Sequence, residues 1–198
     1  LDLSASHTAA APAGEVVYWV YQRLNRRLRK RLEPFLNLLA MRHLTLILRY
    51  SLAGEIPQAS LLAESLLTEE LQKLARTTEK AEAVVAQLEA ALINDYPFVD
   101  GLTATYRDQG PGGVEQQLSR GILQHGLSSP GDKIVKLTLG YLVDMRNCLT
   151  ISKLWRWQVK QAPALISGGQ LARPNLQRLW ATHDSDRLSR LTVQLACE

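Results

Sequence analysis

Residues Met145–Trp180 read MRNCLTISKLWRWQVKQAPALISGGQLARPNLQRLW. They repeat the layout of an earlier stretch, Met41–Ala75, MRHLTLILRYSLAGEIPQASLLAESLLTEELQKLA. Met41-Arg42 aligns with Met145-Arg146, Ile47 with Ile151 and Arg49 with Lys153. After a one-residue shift in the linker, Leu61 aligns with Ile166, Leu66 with Leu171, Leu71 with Leu176 and Leu74 with Leu179. Each copy reads as a long helix with a basic end, a Pro-containing linker and a short helix with a Leu-x-x-Leu stripe. Chance likeness between Leu-rich helices is the bland alternative, but the breaks and stripes agree in order as well as in kind. The expectation is an all-α fold, a helical domain made of two related helix-bundle repeats.

Composition points the same way. The 198 residues are 46% hydrophobic and 21% charged, enough for one domain or two small ones with a real core. Aromatic content is only 6%, with two Phe, while Leu takes roughly one position in six. A sandwich or barrel would need β-branched and aromatic strands instead. No run of apolar residues is long enough for a membrane span. Residues 1–15 lack the basic and apolar regions of a signal peptide. With no initiator Met, a fragment or processed product is expected. Two Cys fit a reduced, cytosolic setting. The net charge of +4 falls short of what a dedicated nucleic-acid binder needs from charge alone.

Along the chain, residues 1–14 are expected to be a flexible N-terminal segment. Residues 15–93 form the first helical repeat unit, 94–131 a connector with a short helix, and 132–198 the second unit. Apolar spacing predicts a helix over 15–33, interrupted by Pro34, and a second helix over 35–52. Thr68 is expected to cap a third, with a break near Thr77-Thr78, which could continue to Leu92. The glycines and prolines of Asn94–Gly113 predict a segment that is at least partly loop, followed by a short helix, Val114–His125, closed by Gly126. Asp132 should cap a long helix reaching toward Lys160, with Ile134, Leu137, Tyr141, Leu142, Met145, Leu149 and Leu154 on its apolar stripe. Arg173-Pro174 should open a short helix, and Asp184 should cap a last one.

The second copy carries Asp144-Met145-Arg146-Asn147 and then Lys153, followed by Leu165-Ile166-Ser167-Gly168-Gly169-Gln170-Leu171. This resembles the C/d subunit family of the V-type/A-type ATP synthases, whose members are called C in archaea and bacteria and d in eukaryotic vacuolar ATPases. That family is built of helical repeats with an Asp-x-x-Asn-(x)5-Arg/Lys helix, a turn of the type Ile-x-Gly-Gly-x-Leu and a short helix. Ser129-Pro130 and Leu139-Gly140-Tyr141-Leu142 also stand where the family leads into its motif. The likeness runs from about Glu33 onward. The first copy has Ala40 and His43 in place of Asp and Asn, and two repeats are visible where the family has three. A divergent or shortened relative is implied.

The resemblance implies a non-catalytic role. The family member is a funnel-shaped adaptor on the cytoplasmic face of the membrane rotor ring, receiving the central stalk in its socket. Asp144, Asn147, Lys153, Gly168 and Gly169 are then a structural repeat motif. The implied partners are rotor-ring and central-stalk subunits, with the membrane surface touched indirectly, and the implied location is cytoplasmic and peripheral to the membrane. Nucleic acid is not among the partners so implied.

Other signals weigh as follows. Arg23, Arg26, Arg27, Arg29, Lys30 and Arg31 could contact a partner or a membrane surface, or form the solvated face of an amphipathic helix. Trp155-Arg156-Trp157 is either a binding anchor or one inward and one partly exposed Trp. The Gly-rich stretches at 110–113 and 167–169 lack the Gly-Lys-Ser/Thr of a phosphate loop and read as linkers. The four scattered His support no metal site. His43 reads as a hydrogen-bonded core or boundary residue, and Cys148 as a small buried hydrophobe. No catalytic set emerges, and neither cofactor nor metal is expected. The alternative to the rotor role is a free-standing helical module that binds protein or nucleic acid.

Overall fold

Asn25, rather than Pro34, sets the first helix boundary. The Asn25 Oδ1 accepts the Leu28 N–H at 2.9 Å, an N-cap that starts the second helix there. The structure is a computed structural model describing residues 13–53, 55, 66–74 and 80–197. Among the described residues it is all-helical, without strands. The helices are α1 (Ala13–Arg23), α2 (Arg26–Ala53), α3 (Glu69–Leu74), α4 (Ala81–Leu92), a 3-10 turn (Pro97–Val99), α5 (Leu102–Ser128), α6 (Lys133–Arg156), α7 (Arg173–Thr182) and α8 (Ser185–Cys197). Of the flexible segment expected at 1–14, Ala13 and Gly14 belong to α1, and the rest lies outside the described residues.

Several expectations are corrected. Helix α2 runs straight through Pro34. An interior Pro costs about 3 kcal/mol in an isolated helix. Here its ring is buried where α2 meets Gly126 of α5, so packing offsets the lost bond. The segment expected to be at least partly loop up to Gly113 is mostly the 3-10 turn and the first half of α5, with loop only around them. Gly110, with φ 67° and ψ −160°, kinks α5 without ending it, and Pro111 opens the half that follows. Glu89 of α4 starts that helix. Its carboxylate accepts the Gly101 and Thr103 N–H groups, both at 2.8 Å, and the Thr103 hydroxyl. These bonds, the hydroxyl's first, hold the Glu89 carboxyl below its usual range.

Other caps are where the sequence puts them. Asp132 Oδ1 accepts the Ile134 N–H at 2.9 Å, and Asp184 Oδ1 accepts the Arg187 N–H at 2.9 Å. Thr68 Oγ1 takes the Leu71 N–H at a long 3.4 Å. Thr77-Thr78 lies outside the described residues. Helix α6 stops at Arg156, short of Lys160. Its expected apolar stripe is rotated: Ile134 is 73% exposed, and Leu137 and Leu149 are exposed too. The buried face carries Val135, Leu139, Val143, Cys148 and Ile151.

Two apolar cores result. The larger joins α2, α3, α4, the 3-10 turn, α5 and the first half of α6, through residues such as Leu44, Val85, Leu118 and Leu139. The smaller joins the second half of α6 to α7 and α8 through Cys148, Ile151, Leu176, Leu179, Leu188 and Leu195. Arg49 of α2 also grips Glu115 of α5 through two bonds of 2.7 and 2.8 Å. The two cores meet within α6. Burial agrees between the aligned copies at Leu44 and Cys148, Ile47 and Ile151, and Leu71 and Leu176, but differs at Met41 and Met145, His43 and Asn147, and Leu48 and Ser152.

A methyl added at Gly121 of α5 would overlap the Phe98 ring, whereas one at Gly112 meets nothing within 4 Å. Gly121→Ala is expected to lower unfolding stability by about 1–3 kcal/mol through overpacking. Gly112→Ala is expected to raise it by about 0.5–1 kcal/mol. Urea-unfolding midpoints of the two variants check both signs.

Candidate functional site

The segment 161–172, between α6 and α7, has neither helix nor strand, so its buried backbone groups need partners from elsewhere. Two side chains of α6 supply them. Asn147, 2% exposed, donates from Nδ2 to the Ile166 carbonyl at 2.9 Å and accepts the Ile166 N–H on Oδ1 at 2.9 Å. The amide thus pairs with one residue's backbone as a neighbouring strand would. Three residues earlier on the same face, Asp144 is fully buried. Its Oδ2 accepts the Gln170 N–H at 2.6 Å and the Leu171 N–H at 3.1 Å.

The glycines fit this clamp. A Cβ at Gly169 would overlap Asp144 Oδ1, so only glycine lets the turn reach the carboxylate. Gly168 has φ +103°, a backbone state that side chains disfavour, and a Cβ there would sit 2.6 Å from Leu127 Cδ1. The turn therefore closes against both α6 and α5. Leu165 enters the smaller core and Ile166 the larger.

The electrostatics are those of a buried carboxyl. Burial pushes the Asp144 carboxyl above its usual range, opposed by the Leu171 and Gln170 N–H donors. Its Oδ1 is buried and has no hydrogen-bond partner. One turn on, burial first and Asp144 second push the Cys148 thiol up to about 11. Such a thiol is neutral at physiological pH and a poor nucleophile.

Of the motif residues, Asp144, Asn147, Gly168 and Gly169 come together. Lys153 stands exposed in the last turn of α6 and takes no part in the clamp. The cations Arg23, Arg26, Arg27, Arg29, Lys30 and Arg31 lie apart from it, on the α1–α2 elbow. Trp155 is half-buried and stacks on Trp180 and His183, with ring centres 6.2 and 5.4 Å away, while Trp157 is 65% exposed. His43 departs from expectation: its Nδ1 is buried without a hydrogen-bond partner. Burial and the Arg42 charge hold its imidazole below the ordinary histidine value. The Glu89 cap and the Arg49–Glu115 pair carry no signal in the sequence. Their partners lie on other helices, and no local spacing marks them.

Two open depressions, of about 550 and 400 Å³, flank Leu127 and Gly168. The larger holds His125 and the smaller Lys133 and Lys136. Among the described residues no group of three His, Cys, Asp or Glu could hold a metal ion. Comparison with family models, curated proteins and solved structures finds no match to this chain.

Asn147→Ala is expected to strand both Ile166 backbone groups and to cost about 2–4 kcal/mol of stability, read by urea unfolding. Because the native Asp144 carboxyl titrates above its unfolded value of about 4, its contribution is full below that value and is lost as pH rises through the native one. Asp144→Asn removes that titration. The stability of wild type minus that of Asp144→Asn is therefore expected to fall as pH rises across this window, in unfolding titrations at successive pH values.

Proposed function

We propose that the chain is a non-catalytic component of a V-type/A-type rotary ATPase, of the C/d adaptor type, linking the central stalk to the membrane rotor ring for ion transport. The observation that carries the reading is the clamp. The two side chains and two glycines by which the sequence resembles that family, Asp144, Asn147, Gly168 and Gly169, hold one turn together. They do so where the two apolar cores meet. Four of the five motif residues go into fixing backbone, Lys153 being the exception, and such a motif suits a body that transmits force rather than one that binds a small substrate.

Other features support it. An adaptor under torque needs stiff helices and wide contact surfaces. Helix α6 leaves Ile134 and Leu137 exposed near its start and Leu149 exposed toward its end, apolar side chains available to a partner protein. Among the described residues no helix is long and apolar enough to cross a membrane, so attachment through rotor and stalk proteins at the cytoplasmic face is the arrangement proposed.

The test is reconstitution with a solubilised rotor ring and, separately, with central-stalk proteins. Binding to both at micromolar concentration is expected. Failure to bind either one counts against the proposal. Leu137→Glu, at an exposed apolar position, is expected to weaken at least one of the two contacts by tenfold or more while leaving the circular dichroism spectrum unchanged, about 1.4 kcal/mol in binding terms.

A further inference from the structure

The α1–α2 elbow carries six cations between Arg23 and Arg31. Among the described residues, the one carboxylate within ion-pair distance of any of them is Asp132, 3.9 Å from Arg31. The same elbow exposes large apolar side chains: Trp19 is 55% exposed, and Val20 and Leu28 are exposed as well. The Arg23 guanidinium lies 3.8 Å from the centre of the Trp19 ring, and that of Arg29 lies 4.6 Å from the Tyr21 ring. Arg29 also donates to the Gln22 carbonyl at 3.2 Å, tying the first turn of α2 back onto α1. Charge and apolar surface are thus held together on two helices whose relation is fixed by named contacts.

We propose that this elbow docks directly on an anionic lipid surface, with Trp19 at the headgroup boundary and the arginines on lipid phosphates. Tryptophan favours that boundary, where its apolar body and polar N–H are both satisfied. Each basic side chain near an anionic leaflet raises binding about fivefold, so a cluster binds without a membrane-spanning segment. Helix α1 has 11 residues, far short of the ~20 needed to span, so it lies along the surface. A nucleic acid fits less well. Base stacking calls for open aromatic faces, whereas Trp19 and Tyr21 each carry a guanidinium on one face. Exposed Val20 and Leu28 would gain nothing on a phosphate backbone. The inference goes beyond the adaptor reading, since it needs neither rotor nor stalk.

The experiment is co-sedimentation of the full chain with vesicles of phosphatidylcholine alone, and with roughly one-third phosphatidylserine added, at low and high salt. Binding is expected only to the anionic vesicles. The double variant R26Q/R27Q is expected to weaken it about thirty-fold. Trp19→Ala is expected to weaken anionic-vesicle binding at low and high salt alike, because the contact it removes is apolar and adds to the electrostatic one. Equal binding to both vesicle types overturns the proposal, as does unchanged binding of R26Q/R27Q. Preferential capture by single-stranded or duplex nucleic acid, with no vesicle binding, overturns it in favour of a nucleic-acid surface. Anionic-vesicle binding in a preparation that binds no rotor ring supports it while removing the adaptor role.

Discussion

The pairing of the Asn147 side-chain amide with the backbone of Ile166 is the contact on which the rest of the arrangement depends. The segment between α6 and α7 has no ladder of its own, yet Leu165 and Ile166 are buried in it, on opposite cores. A buried N–H and carbonyl without partners would each cost about 1–3 kcal/mol. Asn147 satisfies both with one rigid group, and Asp144 satisfies two further donors along the turn. The turn can then lie flat on α6, and α7 and α8 follow it into place. The cost is a buried carboxyl with an unpartnered Oδ1, lifted above its usual titration range.

Helix α6 belongs to both cores, and this makes its polar pair structurally consistent. Its first half faces α2 and α5, and its second half faces α7 and α8. Between the two apolar faces the helix surface is turned toward the glycine turn, where apolar side chains could not meet backbone groups. Gly169 admits the carboxylate and Gly168 admits Leu127, so α5, α6 and the turn interlock without a side chain to spare.

Much of this is legible in the sequence, for physical reasons that can be named. The helical class follows from Leu spacing. Asp132 and Asp184 announce caps because an N-cap is a local interaction between neighbouring residues. The Asp144–Leu171 motif brings together the residues that form the clamp. What the sequence hides is tertiary. Pro34 and Gly110 read as breaks, yet burial against neighbouring helices carries the chain through one, and the other is only a kink. Spacing points to Ile134, Leu137 and Leu149 as the apolar stripe of α6, because a helix with two apolar faces gives its periodicity no single phase. The stretch aligned with that turn in the earlier copy lies almost wholly outside the described residues, and burial agrees at Leu44, Ile47 and Leu71 but not at Met41 and Leu48, so the expected repeat is not carried into the fold.

On the adaptor reading proposed above, the joint between the two cores must not open under force, and the clamp spans that joint. Amide hydrogen exchange at Ile166 and Gln170 measures that opening directly. Both amides are expected to exchange only with global unfolding, at the same free energy as core amides such as Leu118 and Ile151. Exchange at the rate of an unprotected loop, while those core amides stay protected, would contradict the account.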